Sequence, residues 1–217
     1  MSESPTVHSA ALMRYVAAHA APEDPFLAEL KAAAKARGFP AISVAPDQAV
    51  FMQALLRLMR AREVVEVGTL GGYSAISMAR GLLEGGRVRT IEVDPERARF
   101  ARDWAARSDV AGRVEVHEGP GAKVLPTFAA GSADAAFLDA DKESYGLYLE
   151  ECRRIVRPGG LIMVDNAFAF GCLLDPAEDD PSVLAIRAFN ETMRAARDLQ
   201  GVIVPLGDGL WVAWKRW

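Results

Sequence analysis

Charged and amide side chains follow two apolar runs of this sequence, at the points where buried strands should end. In "AFLDADKESYGLY", Asp139, Asp141 and Lys142 follow an apolar segment, and "GGLIMVDN" ends in Asp165 and Asn166. Neighbouring parallel strands lie about 4.8 Å apart, so side chains at their carboxyl ends converge on one point. Three oxygen donors without a histidine or thiolate suit a hard divalent cation. We therefore predict that Asp139, Asp165 and Asn166 bind Mg²⁺, with Ca²⁺ or Mn²⁺ as alternatives.

Lys142 follows Asp139 closely enough to approach the same ion from the next segment. Near a cation its ammonium form is disfavoured, which makes Lys142 a candidate general base for a hydroxyl that binds the ion. Simpler interpretations stay open. Lys142 could be an exposed lysine paired with Glu143 or Asp141, and the Asp-Asn pair could be a turn or a helix cap. We interpret Asp141 as structural.

A glycine-rich turn, "EVGTLGGYS", joins an apolar strand to a helix and contains Gly68, Gly71 and Gly72. Open parallel sheets bind nucleotides at such turns. The spacing G-x-x-G-G differs from the G-x-G-x-x-G of dinucleotide-binding folds, and Glu66 before it would repel a phosphate and attract an ammonium or sulfonium group. This combination favours a cationic nucleoside, although the glycines are also compatible with a plain tight turn.

The second strand ends in Glu92 within "TIEVDPE". An acidic side chain at this position can accept hydrogen bonds from ribose hydroxyls. The alternative is an exposed acid that begins the next helix together with Asp94 and Pro95. We favour ribose binding because the acid and the glycine turn occur at the separation seen in nucleotide-binding sheets.

These candidate residues need a parallel sheet to position them, and the sequence predicts one. The first third has helical apolar spacing, in Ser9–His19 and in "EDPFLAELKAAAKARG" and "APDQAVFMQALLRLMRA". Five strand–helix units follow, and "GVIVPLGDGLWVAWK" predicts a final hairpin at the sheet edge. We predict an α/β fold with helices on both faces of a doubly wound sheet. We expect a single domain over 1–217, with N-terminal helices in 1–60 and the sheet in 61–217.

Composition favours small-molecule chemistry over nucleic-acid binding. The 217 residues carry a formal charge of −4 and are 51% hydrophobic, so nothing indicates a basic surface for duplex nucleic acid. Cys152 and Cys172 form neither a zinc pattern nor a disulfide framework. The sequence has no long apolar run typical of a membrane span, and its N-terminus lacks the pattern of a signal peptide. We expect a cytoplasmic protein without a membrane partner.

Four stretches, "EVGTLGGYS", "TIEVD", "FLDADKESY" and "PGGLIMVDN", resemble in order and spacing the S-adenosylmethionine-dependent O-methyltransferases of the catechol and caffeoyl-coenzyme A type. The resemblance runs from about Val44 to Lys215. It implies a seven-stranded Rossmann-like sheet with an antiparallel last strand, a homodimer, and a general-base role for Lys142. It also implies S-adenosylmethionine contacts: Val44, Glu66, Gly68, Thr69, Ser74 and Glu92 around the methionine and ribose, Gly121 near the adenine, and Asp139 beside them.

The predicted reaction is cation-dependent methyl transfer from S-adenosylmethionine to a hydroxyl of a small phenolic, catechol-like molecule. Two stretches depart from the family pattern: "AFAFG" after the Asp-Asn pair, which bears on the acceptor, and Gly119-Pro120-Gly121, which bears on the adenine contact. Two other functions fit the sequence less well. A tRNA wobble-hydroxyuridine O-methyltransferase is disfavoured by the net charge of −4, and a nicotinamide-dependent oxidoreductase by the glycine spacing.

Overall fold

A computed structural model of the protein describes residues 9–20 and 22–217. Residues 1–8 and Ala21, which the sequence places in the N-terminal helical region, lie outside the described residues. The helices of the described chain are α1 Ala10–His19, α2 Pro25–Ala36, α3 Pro46–Leu58, α4 Tyr73–Gly81, α5 Pro95–Arg107, α6 Gly121–Val124, α7 Tyr145–Ile155 and α8 Pro181–Ala195. The strands are β1 Glu63–Val67, β2 Arg87–Glu92, β3 Val114–Glu118, β4 Ala133–Leu138, β5 Val156–Val164, β6 Leu199–Val204 and β7 Leu210–Lys215.

Within this described chain, the strands form one seven-stranded sheet in the order β3-β2-β1-β4-β5-β7-β6. Strands β1 to β5 pair in parallel, and Val64 of β1 lies between Val88 of β2 and Ala135 of β4. Strand β7 runs antiparallel to both β5 and β6. The predicted α/β, doubly wound fold with an antiparallel last strand is confirmed.

The predicted final hairpin at the sheet edge is confirmed, with β7 paired to β5 and β6 as the outermost strand. Burial gives the physical reason for this order. Leu210, Val212 and Ala213 of β7 are buried, whereas Gln200 and Val202 of β6 are exposed. The more apolar strand therefore takes the position that has a neighbour on each side.

Alternate residues of the central strands face two separate apolar layers. Val64 and Phe137 pack on the side of α2, α3 and α4, and Val65 and Leu138 pack on the side of α7 and α8. This alternation follows from the two-residue period of a strand and explains why β1 is buried along nearly its whole length. None of the described helices is long and apolar enough to cross a membrane.

Helix starts are specified locally. Proline occupies the first turn of α2, α3, α5 and α8, where its missing N–H is not needed. Asp24, Asp94 and Asp180 cap three of these helices by accepting backbone N–H bonds. The N-cap of α5, Asp94, lies two residues after Glu92, so the start of α5 fixes the chain next to this candidate cofactor-binding residue.

Candidate active site

A cavity of about 1020 Å³ opens at the carboxyl ends of β1, β2, β4 and β5. The predicted site residues lie along its wall, with the exception of Glu66. The lining residues among them are Val44, Gly68, Thr69, Ser74, Glu92, Gly121, Asp139, Lys142, Asp165 and Asn166.

The glycine turn brings the tips of β1 and β4 into contact. Gly68 has φ of 99°, a left-handed conformation that favours glycine, and its N–H donates to the carbonyl of Ile91 at 3.0 Å. A Cβ at Gly68 would lie 1.9 Å from the carbonyl oxygen of Asp139. Glycine is therefore required here by close approach of two backbones as well as by φ.

Glu92 is 5% exposed and faces the cavity with its two oxygens already oriented. Oε2 accepts from the N–H of Leu70 at 2.8 Å, and Oε1 accepts from the N–H of Asp94 at 3.0 Å. Each carboxylate oxygen can accept a further bond. The carboxylate is thus anchored by the backbone and has acceptor capacity left for a ligand.

Glu66 lies beneath the cavity wall and is completely buried. Ser74 Oγ donates to Glu66 Oε1 and Thr90 Oγ1 donates to Oε2, each at 2.5 Å, and the hydroxyls of Thr69 and Thr90 are 2.6 Å apart. Burial raises the pKa of Glu66 to about 8. The sequence predicted a negative charge facing the ligand, but the carboxyl reaches the cavity only through the hydroxyls of Ser74 and Thr69.

Lys142 is held on two sides at the tip of β4. Its Nζ donates to Asp139 Oδ1 at 3.1 Å and to Tyr145 Oη at 2.7 Å. Its side chain is only 10% exposed, so it is not the solvated lysine of the simpler interpretation. Burial and the nearby charges of Asp139 and Asp165 raise the pKa of Tyr145 well above its ordinary value. The phenol of Tyr145 therefore keeps its proton, and its oxygen accepts the hydrogen bond from Lys142 Nζ.

Asp165, at the tip of β5, is fixed from a different part of the chain. Gln48 of α3 is buried and donates from Nε2 to Asp165 Oδ1 at 2.9 Å. Burial, and then the negative charge of Asp139, raise the pKa of Asp165 to about 6. A Cβ at Gly207 would lie 2.1 Å from Gln48 Oε1, so the β6–β7 connection closes over the other end of the amide.

Asn166 begins a turn of unusual backbone conformation. It has φ of 64°, and Ala169 and Phe170 in the same turn have φ of 53° and 58°. Asparagine tolerates the left-handed region better than most residues. Its Nδ2 donates to Asp208 Oδ2 at 3.1 Å, so its Oδ1 is the end that remains for a ligand.

Gly121 lines the cavity and lies against the Tyr148 ring. A Cβ at Gly121 would be 2.8 Å from the Tyr148 ring and 2.9 Å from Val67 Cγ1. Tyr148 Oη donates to Asp141 Oδ1 at 2.7 Å, which agrees with the predicted structural role of Asp141. Because Gly121 has no Cβ, the Tyr148 ring can pack against it and form this part of the cavity wall.

Three residues of the site were missed from the sequence: Gln48, Tyr145 and Asp208. Tyr145 had a signal, since it lies one helical turn after Lys142 in the same polar stretch. Gln48 and Asp208 had none, because they reach the site from α3 and from the β6–β7 connection.

The donors at the tips of β4 and β5 fit a hard cation. They are two carboxylates and one amide oxygen, the ligand types of Mg²⁺ and Ca²⁺. Burial and the negative charge of Asp139 raise the pKa of Asp165, and a divalent ion beside both carboxylates would oppose that shift. Residues 9–20 and 22–217 contain no group of three His, Cys, Asp or Glu side chains that could hold a metal. A cation here would therefore depend on Asn166 and on water or substrate for its remaining ligands.

Comparisons with protein families, curated proteins and solved structures all match O-methyltransferases. The O-methyltransferase family matches residues 17–216. The catechol O-methyltransferase of Niastella koreensis is 39% identical over 199 residues, 88% of this chain and 90% of that protein. The catechol O-methyltransferase of Mycobacterium tuberculosis is 43% identical over 165 residues, 76% of this chain and 75% of that one. The O-methyltransferase from Bacillus cereus, solved in complex with SAH, has a TM-score of 0.85 at 34% identity and covers 95% of this chain and 97% of its own.

Proposed function

The chain belongs to the O-methyltransferase family and is an S-adenosylmethionine-dependent enzyme, and we propose that it methylates one hydroxyl of a catechol in a reaction that requires a divalent cation. One observation carries the proposal. Lys142 Nζ lies 3.1 Å from Asp139 Oδ1 in the same cavity as the glycine turn, so a base, a candidate cation site and a nucleoside site share one space. Membership of this family gives no support to the alternative of a nicotinamide-dependent oxidoreductase.

In this proposal, the cofactor lies along the tips of β1 and β2. Glu92 accepts hydrogen bonds from the ribose hydroxyls, and Val44, Gly68, Thr69 and Ser74 surround the methionine part. Gly121 and the Tyr148 ring form the adenine wall. Glu66 does not contact the cofactor itself but orients the hydroxyl of Ser74, which does. Asp139 contacts both the cofactor and the cation.

Asp139, Asp165 and Asn166 would hold the cation, and we assign Mg²⁺ because carboxylate and amide oxygens are its preferred protein ligands. When bound, such an ion lowers the pKa of a coordinated substrate hydroxyl. Gln48 donates to one oxygen of Asp165, which leaves the other oxygen for the ion. Adjacent hydroxyls on the acceptor would supply two further ligands, which favours a catechol.

Lys142 removes the proton in the proposed methyl transfer. Its Nζ, as a free amine, accepts the hydroxyl proton while the hydroxyl oxygen bonds to the methyl carbon, and the carbon–sulfur electron pair leaves with S-adenosylhomocysteine. Asp139 and Tyr145 hold Nζ in place from two directions. The protein contributes mainly orientation, which is worth about 7 to 11 kcal/mol when reactants are held in line.

A wobble-hydroxyuridine of tRNA is the second candidate acceptor within methyl transfer. The cations in the described cavity lining are Arg97 and Lys142, and the acceptor end is bordered by Asp208, Ile42 and Phe170. An acidic and apolar rim suits a small neutral phenol better than a polyanion. This observation favours the catechol.

The test uses S-adenosylmethionine with a labelled methyl group, a panel of catechols, matched monophenols and bulk tRNA. We expect label in catechols, little in monophenols and none in tRNA. EDTA should abolish transfer and excess Mg²⁺ should restore it. Label in tRNA would reverse the choice of acceptor, and full activity in EDTA would remove the cation from the proposal.

The proposal includes a homodimer. Helix α1 buries none of its residues against the described chain and exposes Tyr15 and Val16. A second copy would cover this apolar surface. Light scattering coupled to gel filtration should give twice the 23.4 kDa chain mass, and a mass of one chain would contradict it.

A further inference from the structure

Asp208 lies in the connection between β6 and β7, on the rim of the cavity, and has no part in the chemistry described above. A single oxygen, Oδ2, accepts from Asn166 Nδ2 at 3.1 Å and from the N–H of Phe170 at 2.8 Å. We propose that Asp208 is a positioning residue that holds the Asn166 amide with its oxygen toward the cation site. This inference rests on the proposed function, because it concerns a ligand of the proposed cation.

An asparagine amide has two ends of nearly equal size and opposite chemistry. Rotation by half a turn about its terminal torsion exchanges the oxygen, an acceptor, with the NH₂ group, a donor. A carboxylate oxygen accepts hydrogen bonds and cannot donate them, so Asp208 stabilises one of the two orientations of Asn166. The reversed amide would set two acceptors against each other and direct N–H groups at the position of a cation.

The backbone around Asn166 also depends on Asp208. Asn166, Ala169 and Phe170 all have left-handed φ values, a conformation that persists only when surrounding contacts enforce it. The main-chain oxygen of Asp208 accepts from the N–H of Phe168 at 2.9 Å, while Oδ2 accepts from Phe170. One residue therefore fixes the proposed ligand and the turn that follows it.

The charge of Asp208 provides a competing explanation, because a carboxylate near a cation site attracts the ion whatever it hydrogen-bonds. Asp208→Asn and Asp208→Leu separate the two explanations, because all three side chains have the same number and branching of heavy atoms. The asparagine variant loses the charge but keeps a carbonyl oxygen that can accept both hydrogen bonds. The leucine variant loses the charge and the acceptor.

The experiment is a titration of the full-length protein with Mn²⁺ alone, in which electron paramagnetic resonance measures the free ion. Asp208→Leu should weaken Mn²⁺ binding by roughly 10- to 100-fold, as expected when an outer-shell partner of a ligand is removed. Asp208→Asn should bind nearly as the wild type does. Asp175→Leu is the matched control, because the Asp175 carboxylate also accepts a backbone N–H in an exposed turn but does not line the cavity. It should leave Mn²⁺ binding unchanged.

Calorimetric titration with S-adenosylhomocysteine, together with circular dichroism, separates positioning from general damage. Both Asp208 variants should keep the wild-type affinity for this ligand. If Asp208→Leu does not fold, Asp208→Ala removes the same acceptor with a smaller side chain, and loss of both ligands in that variant would overturn the proposal in favour of a purely structural role.

The remaining outcomes are also decisive. Equal weakening in Asp208→Asn and Asp208→Leu would assign the effect to charge and overturn the proposal, as would unchanged Mn²⁺ binding in Asp208→Leu. If wild-type Mn²⁺ binding does not depend on Asp165, as judged with Asp165→Ala, then the cation site of the proposed function fails as well.

Discussion

The two ends of the cavity are built in different ways. The cofactor end, at the tips of β1 and β2, consists of the glycine turn and Glu92, whose oxygens are held by the backbone N–H groups of Leu70 and Asp94. The acceptor end, at the tips of β4 and β5, is held by side chains from elsewhere: Gln48 of α3 holds Asp165, and Asp208 holds Asn166. Backbone groups thus hold the carboxylate of the proposed cofactor end, whereas side chains distant in sequence hold the proposed cation ligands Asp165 and Asn166. Changes at one end should therefore leave ligand binding at the other largely intact.

Gly68 marks the limit of this independence. A Cβ there would meet the carbonyl of Asp139 at 1.9 Å, so the glycine turn and the tip of β4 are pressed together. The two ends share this backbone contact and the Asp139 side chain, which is proposed to touch both cofactor and cation, but their other side chains can be varied separately. Variants that test the comparison should leave Gly68 unchanged.

The largest effect should come from Lys142→Ala, a change confined to the acceptor end. Turnover should fall by about 10²- to 10⁴-fold, as for the loss of an acid–base group. Affinity for S-adenosylhomocysteine should stay within error of the wild type, since the contacts of Lys142 are Asp139 and Tyr145. Initial rates at saturating substrates and calorimetric titration measure the two quantities.

Lys35→Ala, an exposed lysine of α2, is the control and should leave both quantities unchanged. Wild-type turnover in Lys142→Ala would remove this residue from the mechanism. Lost affinity for S-adenosylhomocysteine would instead show that the two ends are coupled through side chains.

An intermediate effect should follow Glu92→Ala, the matching change at the cofactor end. Hydrogen bonds to a charged group contribute roughly 1.5 to 3 kcal/mol, so the dissociation constant for S-adenosylhomocysteine should rise about 10- to 100-fold. Mn²⁺ binding should not change, because the cation site lies on other strands. The exposed Glu96, at the start of α5, provides the control variant Glu96→Ala. An unchanged dissociation constant would rule out the ribose contact.

The same difference explains what the sequence could reveal. Asp139, Asp165, Lys142, Gly68 and Glu92 were visible because each lies at the end of an apolar strand or within four residues after it. The ends of parallel strands share one edge of a sheet. The parallel sheet itself was visible in the alternation of strand and helix patterns. These features are local or repeat along the chain.

The rest required the three-dimensional structure. The contact between Gln48 and Asp165 and the one between Asp208 and Asn166 join segments far apart in sequence, and neither residue type indicates its partner. The order of β6 and β7 could not be predicted, because a hairpin pattern does not specify which strand joins the sheet. The burial of Glu66 was missed because both faces of a central parallel strand are covered, so its alternation does not indicate which side chains face the ligand.

The smallest effect should come from Glu66→Gln, which changes a buried residue beneath the cavity wall at the proposed cofactor end. Burial raises the pKa of Glu66 to about 8 from the ordinary glutamate value of 4.5, so above pH 4.5 the folded protein holds a proton that the unfolded chain releases. The contribution to the free energy of unfolding is therefore largest at low pH and is lost as pH rises toward 8. The raised pKa of Asp165, about 6, also lowers the free energy of unfolding as pH rises, but only up to about pH 6. Between pH 6 and 8 the remaining decrease is therefore assigned to Glu66.

Between pH 6 and 8, the Tm of the wild type should fall more steeply than that of Glu66→Gln, because an amide keeps hydrogen bonds to Ser74 and Thr90 without titrating. Affinity for S-adenosylhomocysteine should change by only a few-fold, since one neutral hydrogen bond contributes about 1 kcal/mol. Glu63→Gln, on the same strand but in a surface pair with Arg87, should keep the wild-type slope. If Glu66→Gln also keeps that slope, the carboxyl is ionised in the folded protein, and the cofactor end then rests on a buried charge rather than on backbone geometry.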